Sequence, residues 1–60
     1  MRSVGYDQAS NALEIEFPGG EVYRYFDVPS DVHRGLMTAK SAGQYFHEYI
    51  REVYEYERVE

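Results

Sequence analysis

Tyr23 and Tyr25 stand two residues apart in a stretch of alternating polarity, so both rings point to one face of a strand. Two open rings on one face can act as a stacking platform for bases, worth roughly 1–3 kcal/mol per base. If that face is covered, the same rings serve as core, with apolar bodies inside and hydroxyls at the wet edge. A second chemistry is offered by Lys40, Ser41 and Gly43. Ser41 has the character of a helix N-cap, and Gly43 leaves the N–H groups of that helix start open to an anion or a partner's backbone oxygen. Lys40 adds a full charge beside it, and Arg51 is the further cation such a surface would use.

The remaining reactive side chains have plainer roles. His33 and His47 are the only histidines, and neither has a second ligand at metal-binding spacing. Asp27 and Asp31 fit turn and helix-start roles. Ser30 and Ser41 lack the strand–turn–helix context that makes a serine a nucleophile. The chain is therefore read as non-enzymatic, with no catalytic residues, no metal and no cofactor.

These residues need elements to carry them. From Val4 to Val28 the apolar period is 2, and Leu13, Ile15 and Phe17 alternate with Glu14 and Glu16. Val4 and Tyr6 begin the pattern, followed by the turn cluster Gln8-Ala9-Ser10-Asn11, which sets Tyr6 opposite Leu13 and Val4 opposite Ile15. A third strand runs from about Glu21 to Val28. A two-residue Gly19-Gly20 loop would put Arg24 on the core face and ask Pro18 for a hydrogen bond it cannot donate. A three-residue loop starting at Pro18, with Gly20 as the left-handed bulge residue, instead sets Tyr23 opposite Ile15, Tyr25 opposite Leu13 and Glu14 opposite Arg24.

After Val28-Pro29 the period becomes helical. Ser30 reads as an N-cap with Asp31 in the first turn, and Val32, Leu36 and Ala39 share one side of a short helix weakened by Gly35. Ser41 and Gln44 form a capping box for a second helix, whose buried stripe is Ala42, Phe46, Tyr49, Ile50 and Val53. Residues 54–60 either prolong that helix, fray or add a short strand. The result is one α+β domain over residues 1–60: a three-stranded antiparallel meander followed by two helices packed on one face.

The chain has 60 residues, seven of them Tyr and three Phe, and no Cys, so it is held by packing without disulfides or thiolate metal sites. Eleven acidic residues against six basic give a formal charge of −5 and a pI near 4.8. Such a surface repels polyanions on average, since nucleic-acid affinity comes largely from Lys and Arg displacing counterions. No apolar run reaches the roughly 20 residues that cross a bilayer, and the first residues lack the apolar core of a signal peptide. A cytoplasmic protein without membrane attachment is expected.

Val4-Gly5-Tyr6-Asp7, Leu13, Ile15 and Phe17, Gly20, the Tyr23-x-Tyr25 pair, Val28-Pro29, Ala39-x-Ser41-x-Gly43, Tyr45-Phe46, Ile50-Arg51, Tyr54 and Tyr56 together resemble the KTSC domain family. The resemblance covers almost the whole chain. It implies a short bacterial or phage protein, or a module like the one at the C-terminus of some lysyl-tRNA synthetases, a context that suggests RNA binding. It brings no catalytic residues. Where relatives look basic, this chain has Gln44, Glu48, Glu52, Glu55 and Glu57, and Glu55 replaces a common Pro, which lets the second helix run further. The function expected is a small non-catalytic binding or accessory module. Given the charge, a protein partner or self-association through the Tyr-rich tail is favoured over nucleic acid.

Overall fold

The alternation of Leu13 and Ile15 with Glu14 and Glu16 folds as a strand whose two apolar residues are sealed from solvent while the glutamates stay partly open. A computed structural model describes all residues from Met1 to Glu60. The elements in order are β1 (Ser3–Asp7), β2 (Ala12–Glu16), β3 (Val22–Tyr25), α1 (Ser30–Thr38), α2 (Ala42–Tyr49) and β4 (Tyr56–Arg58). The strands form one antiparallel sheet in the order β1-β2-β3-β4. No helix is long and apolar enough to cross a membrane.

Both hairpins have the expected register. Tyr6 lies across from Leu13 and Val4 from Ile15 in the first, and Tyr25 from Leu13, Arg24 from Glu14 and Tyr23 from Ile15 in the second. The β2–β3 turn explains the second. The Gly20 N–H donates to the Phe17 carbonyl at 2.9 Å, the Phe17 N–H donates to the Glu21 carbonyl at 2.9 Å, and Gly20 has φ +94°. That is a three-residue loop whose last residue needs a conformation glycine adopts freely. In the first hairpin Asn11, at φ 57°, fills the left-handed position, and Asp7 accepts from the Ala9 N–H and the Ser10 hydroxyl.

The core lies between the inner face of the sheet and the helices. Leu13, Ile15 and Tyr25 come from the sheet, Val28 from the connection, Leu36 from α1, and Phe46 and Ile50 from α2 and its end. Tyr6 ties the layers at one side. Its hydroxyl donates to the Val28 carbonyl at 2.6 Å, and its ring stacks on His33 of α1 at 4.5 Å, which gives that histidine a packing role. Gly35 sits under the Tyr45 ring, where a Cβ would collide with the phenol. A glycine that weakens α1 thereby lets the two helices approach closely.

Several local expectations are corrected. Ser30 is the first residue of α1 rather than its cap. Pro29, extended at φ −64° and ψ 154°, takes the cap position, and its carbonyl accepts from the Val32 and His33 N–H groups. Ser41 does cap α2, accepting from the Gln44 N–H at 3.1 Å, but the Gln44 side chain turns to Glu48, so only half of the box forms. β3 ends at Tyr25 because Asp27, at φ 58°, turns the chain toward α1. α2 ends at Tyr49 and does not run on: residues 55–60 satisfy the open edge of β3, with Phe26 N–H donating to Glu55 and Val59 N–H to Val22. This leaves Tyr49 and Val53 exposed, contrary to their place in the predicted stripe, while Tyr45 is half-buried in their stead.

Two stability effects follow from the sheet. Gly20→Ala forces a side chain into the left-handed region and should cost about 1–2 kcal/mol in denaturant melts. Arg24→Ala, which removes partly exposed ion pairs to Glu14 and Glu57, should cost under about 1 kcal/mol. The reverse ranking would show that the outer-face charges, and not the turn, hold the hairpin.

Candidate functional site

Alternation along β2 and β3 places Phe17, Tyr23 and Tyr25 on the inner face, and pairing of β4 with β3 brings Tyr56 beside Tyr25 on that face. Phe46 descends from α2 to meet them. The contacts close a circuit. Phe17 meets Tyr23 edge-on at 5.6 Å, Tyr23 stacks with Tyr56 at 5.5 Å, and Tyr56 meets Tyr25 at 5.2 Å. Tyr25 then meets Phe46 at 5.4 Å, and Phe46 meets Phe17 at 5.6 Å, both edge-on. Offset and edge-to-face pairs of this kind contribute roughly 0.5–1.5 kcal/mol each beyond the area they bury.

The circuit does not close over. An open cleft of about 490 Å³ is lined by these rings together with Gly43, His47 and Arg51 from the α2 side and with Met1 and Glu21. Burial is graded across it: Tyr25 is 2% exposed and Phe46 7%, whereas Tyr56 is 54% exposed. Its charges sit at different places. Glu21 precedes β3, and four residues along a strand place it about 13 Å from Tyr25. Arg51 acts on Tyr25 itself. Burial pushes the Tyr25 phenol up to about 12 from its ordinary 10.0, Tyr56 and Tyr23 add to the rise, and Arg51 works against it.

Of the residues singled out in the sequence, Tyr23, Tyr25, Gly43 and Arg51 come together in this cleft. Lys40 and Ser41 do not line it. Lys40 is exposed in the turn before α2, and the Ser41 hydroxyl is committed to the Gln44 N–H. Tyr23 is half-buried and Tyr25 buried, so neither is a freely open platform. Arg51, which helical spacing would pair with Glu48 and Glu55, instead donates to His47 Nδ1 at 3.2 Å, because the helix stops before Glu55 can reach it. Arg58 likewise donates to the Glu60 carbonyl and not to a glutamate side chain.

The sequence reading missed Phe17, Phe46 and Tyr56 as parts of one lining. The alternation that puts Phe17 in line with Leu13 and Ile15 was a signal for the first. Nothing local marks Tyr56, whose position depends on a strand of three residues.

Comparison with known proteins gives a consistent picture. A family model described as KTSC domain matches residues 1–56. The chain is 43% identical over 59 residues to a lysine–tRNA ligase of Trichormus variabilis; this covers 98% of the chain but 10% of the ligase. It is 39% identical to an uncharacterised protein of Stutzerimonas stutzeri, covering all of this chain and 86% of that one. The crystal structure of a KTSC domain protein from Yersinia pestis superposes with a TM-score of 0.93 at 33% identity, covering 97% of this chain and 82% of the other. The chain thus spans about a tenth of the ligase it matches and most of the shorter proteins.

The elevated Tyr25 phenol sets an alkaline limit on the fold. In the unfolded chain it loses its proton near 10, whereas the folded protein retains it to about 12. Over that interval the folded state binds more protons, so stability falls as pH rises, while below 10 the group adds no pH dependence. Denaturant midpoints should therefore drop between pH 10 and 12, and less steeply in Tyr25→Phe. Identical slopes for the two proteins would remove Tyr25 as the cause.

Proposed function

The chain belongs to the KTSC domain family, and from that premise we propose that it is a non-catalytic binding module of the cytoplasm that receives a segment of a protein partner in the aromatic cleft. The observation that carries this reading is the uncovered aromatic lining itself. A chain with so little core gains stability by hiding every ring it can, yet Tyr56 is left half open at the mouth of a cleft walled by four others. Aromatic side chains gathered in a concave site are the usual anchors for a partner's apolar groups. The cytoplasmic placement rests on the sequence, in which no apolar run reaches the length that crosses a bilayer.

Charge supports a protein partner over RNA. Arg24 is held by Glu14 and Glu57, Arg2 by Glu16, and Arg58 by the Glu60 carbonyl. Arg34, Lys40, Arg51 and Arg58 are left without an acidic side-chain partner, four cations that are too few to track a phosphate backbone on a chain of charge −5. A nucleic-acid module is the second reading, favoured by the lysine–tRNA ligase relatives and by the free Arg51 beside the tyrosines. A self-associating structural domain has less behind it, since the Tyr-rich tail is engaged with β3 of its own chain.

The test is an amide NMR titration of the labelled domain with acetyl-Gly-Phe-Gly amide, with a uridine hexanucleotide and with tRNA. The tripeptide should shift the cleft residues with a dissociation constant in the millimolar range, about −4 kcal/mol, and Tyr56→Ala should abolish the shifts while the domain stays folded. RNA binding at micromolar strength or better at about 0.15 M salt, weakened by Arg51→Glu or Lys40→Glu, would overturn the protein-partner reading.

A further inference from the structure

Tyr25 combines deep burial with an unused hydroxyl. The residue is 98% buried by its 2% exposure, yet no backbone or side-chain group of the chain hydrogen-bonds to its phenol oxygen. Every side-chain nitrogen or oxygen sealed from solvent in this protein does have a partner, so the Tyr25 hydroxyl must open to the cleft that the residue lines. Open to the cleft, this oxygen can exchange a water for a polar group of an occupant at little cost. Tyr6 shows the contrast, because its hydroxyl is used twice, on the Val28 carbonyl and on Asn11.

The neighbourhood selects the chemistry of the missing partner. A phenol can donate or accept. Arg51 lines the same cleft as Tyr25, makes no ion pair and has one side-chain hydrogen bond, which it donates to the ring nitrogen of His47. Tyr25 and Arg51 thus bring two donors to one cleft, whose one acidic lining residue, Glu21, stands four positions before Tyr25 in the chain. A cation would be repelled by Arg51. A carboxylate would take a charge-assisted hydrogen bond from the phenol and one or two from the guanidinium. The exposed Tyr56 ring, with Tyr23 stacked against it, offers an apolar surface next to that point for a neighbouring aromatic side chain.

We propose that the cleft recognises an acidic–aromatic peptide segment, with the carboxylate of an Asp or Glu held between the Tyr25 hydroxyl and Arg51 and the adjacent aromatic ring against Tyr56. This deepens the binding-module reading and rests on it. A single buried anion contact is compatible with the net charge of −5, because it depends on two local donors and not on the field of the whole surface.

The experiment titrates the labelled domain with acetyl-Gly-Phe-Asp-Gly amide and with acetyl-Gly-Phe-Asn-Gly amide, which lacks the charge. The Asp peptide should bind about tenfold or more tightly than the Asn peptide, the ratio expected for hydrogen bonds to a charged group. Tyr25→Phe and Arg51→Gln should each reduce that ratio several-fold. Tyr25→Phe keeps the ring and removes an oxygen that bonds to nothing in the chain, so its melting temperature at neutral pH should match the parent protein. Equal binding of the two peptides, or a ratio unchanged in both variants, overturns the carboxylate assignment while leaving the cleft as a binding site. A uridine hexanucleotide that displaces the Asp peptide and binds more tightly overturns it in favour of nucleic acid. Absence of shifts with the peptides and the oligonucleotide alike at millimolar concentration removes the cleft as a site and the binding reading with it.

Discussion

Leu13 facing Tyr25 and Ile15 facing Tyr23 across β2 and β3 is the pairing on which the other packing depends. A domain of this length has one thin layer of core, and the period of a strand is two, so a slip of one residue between β2 and β3 would put Arg24 on the core face beside Ile15 and turn both rings outward. The turn at Phe17–Glu21 prevents that slip by geometry, since Pro18 has no N–H to give and Gly20 supplies the positive φ. With the register held, Tyr25 meets Phe46 from α2, and Leu36 and Ile50 complete the same layer. The helices are placed by what the sheet presents to them.

The aromatic circuit is a consequence of that scarcity. With few aliphatic residues to spend, the fold uses Phe17, Tyr23, Tyr25 and Phe46 as both core and cleft wall, and Tyr56 as wall alone. The two roles differ by depth. Tyr25 and Phe46 carry the packing, and Tyr56, contributed by the last short strand, faces solvent. Shared walls couple binding to stability: an occupant of the cleft would cover rings that the folded chain leaves open, and binding to the native state alone stabilises it.

Charge is sorted by face. The outer side of the sheet carries Glu14, Arg24 and Glu57 in a connected set, with Arg24 Nη2 2.6 Å from Glu14 and Nη1 3.6 Å from Glu57. These pairs are half exposed and contribute little to stability, but they consume cations. Arg51 escapes such neutralisation because α2 stops at Tyr49 and the chain turns away before Glu55. The end of one helix thus decides the charge of the cleft.

By itself the sequence determined the meander, both hairpin registers, the inner face of β2 and β3, the Ser41 cap and the family, because each rests on short-range rules: the strand period, the turn residues, or a pattern spread along the chain. Tertiary structure decided the rest. Glu55–Glu60 holds four helix formers, Glu55, Glu57, Arg58 and Glu60, against two strand formers, Tyr56 and Val59, and the open edge of β3, present once the meander has formed, selects a strand against that local preference. That selection ends α2, exposes Tyr49 and Val53, frees Arg51 from its helical glutamates and carries Tyr56 to Tyr23 and Tyr25. The cleft was illegible for that reason. Its lining is drawn from residues up to fifty-five positions apart, Met1 to Tyr56, and a local pattern holds no information about which backbone edge a distant segment will satisfy.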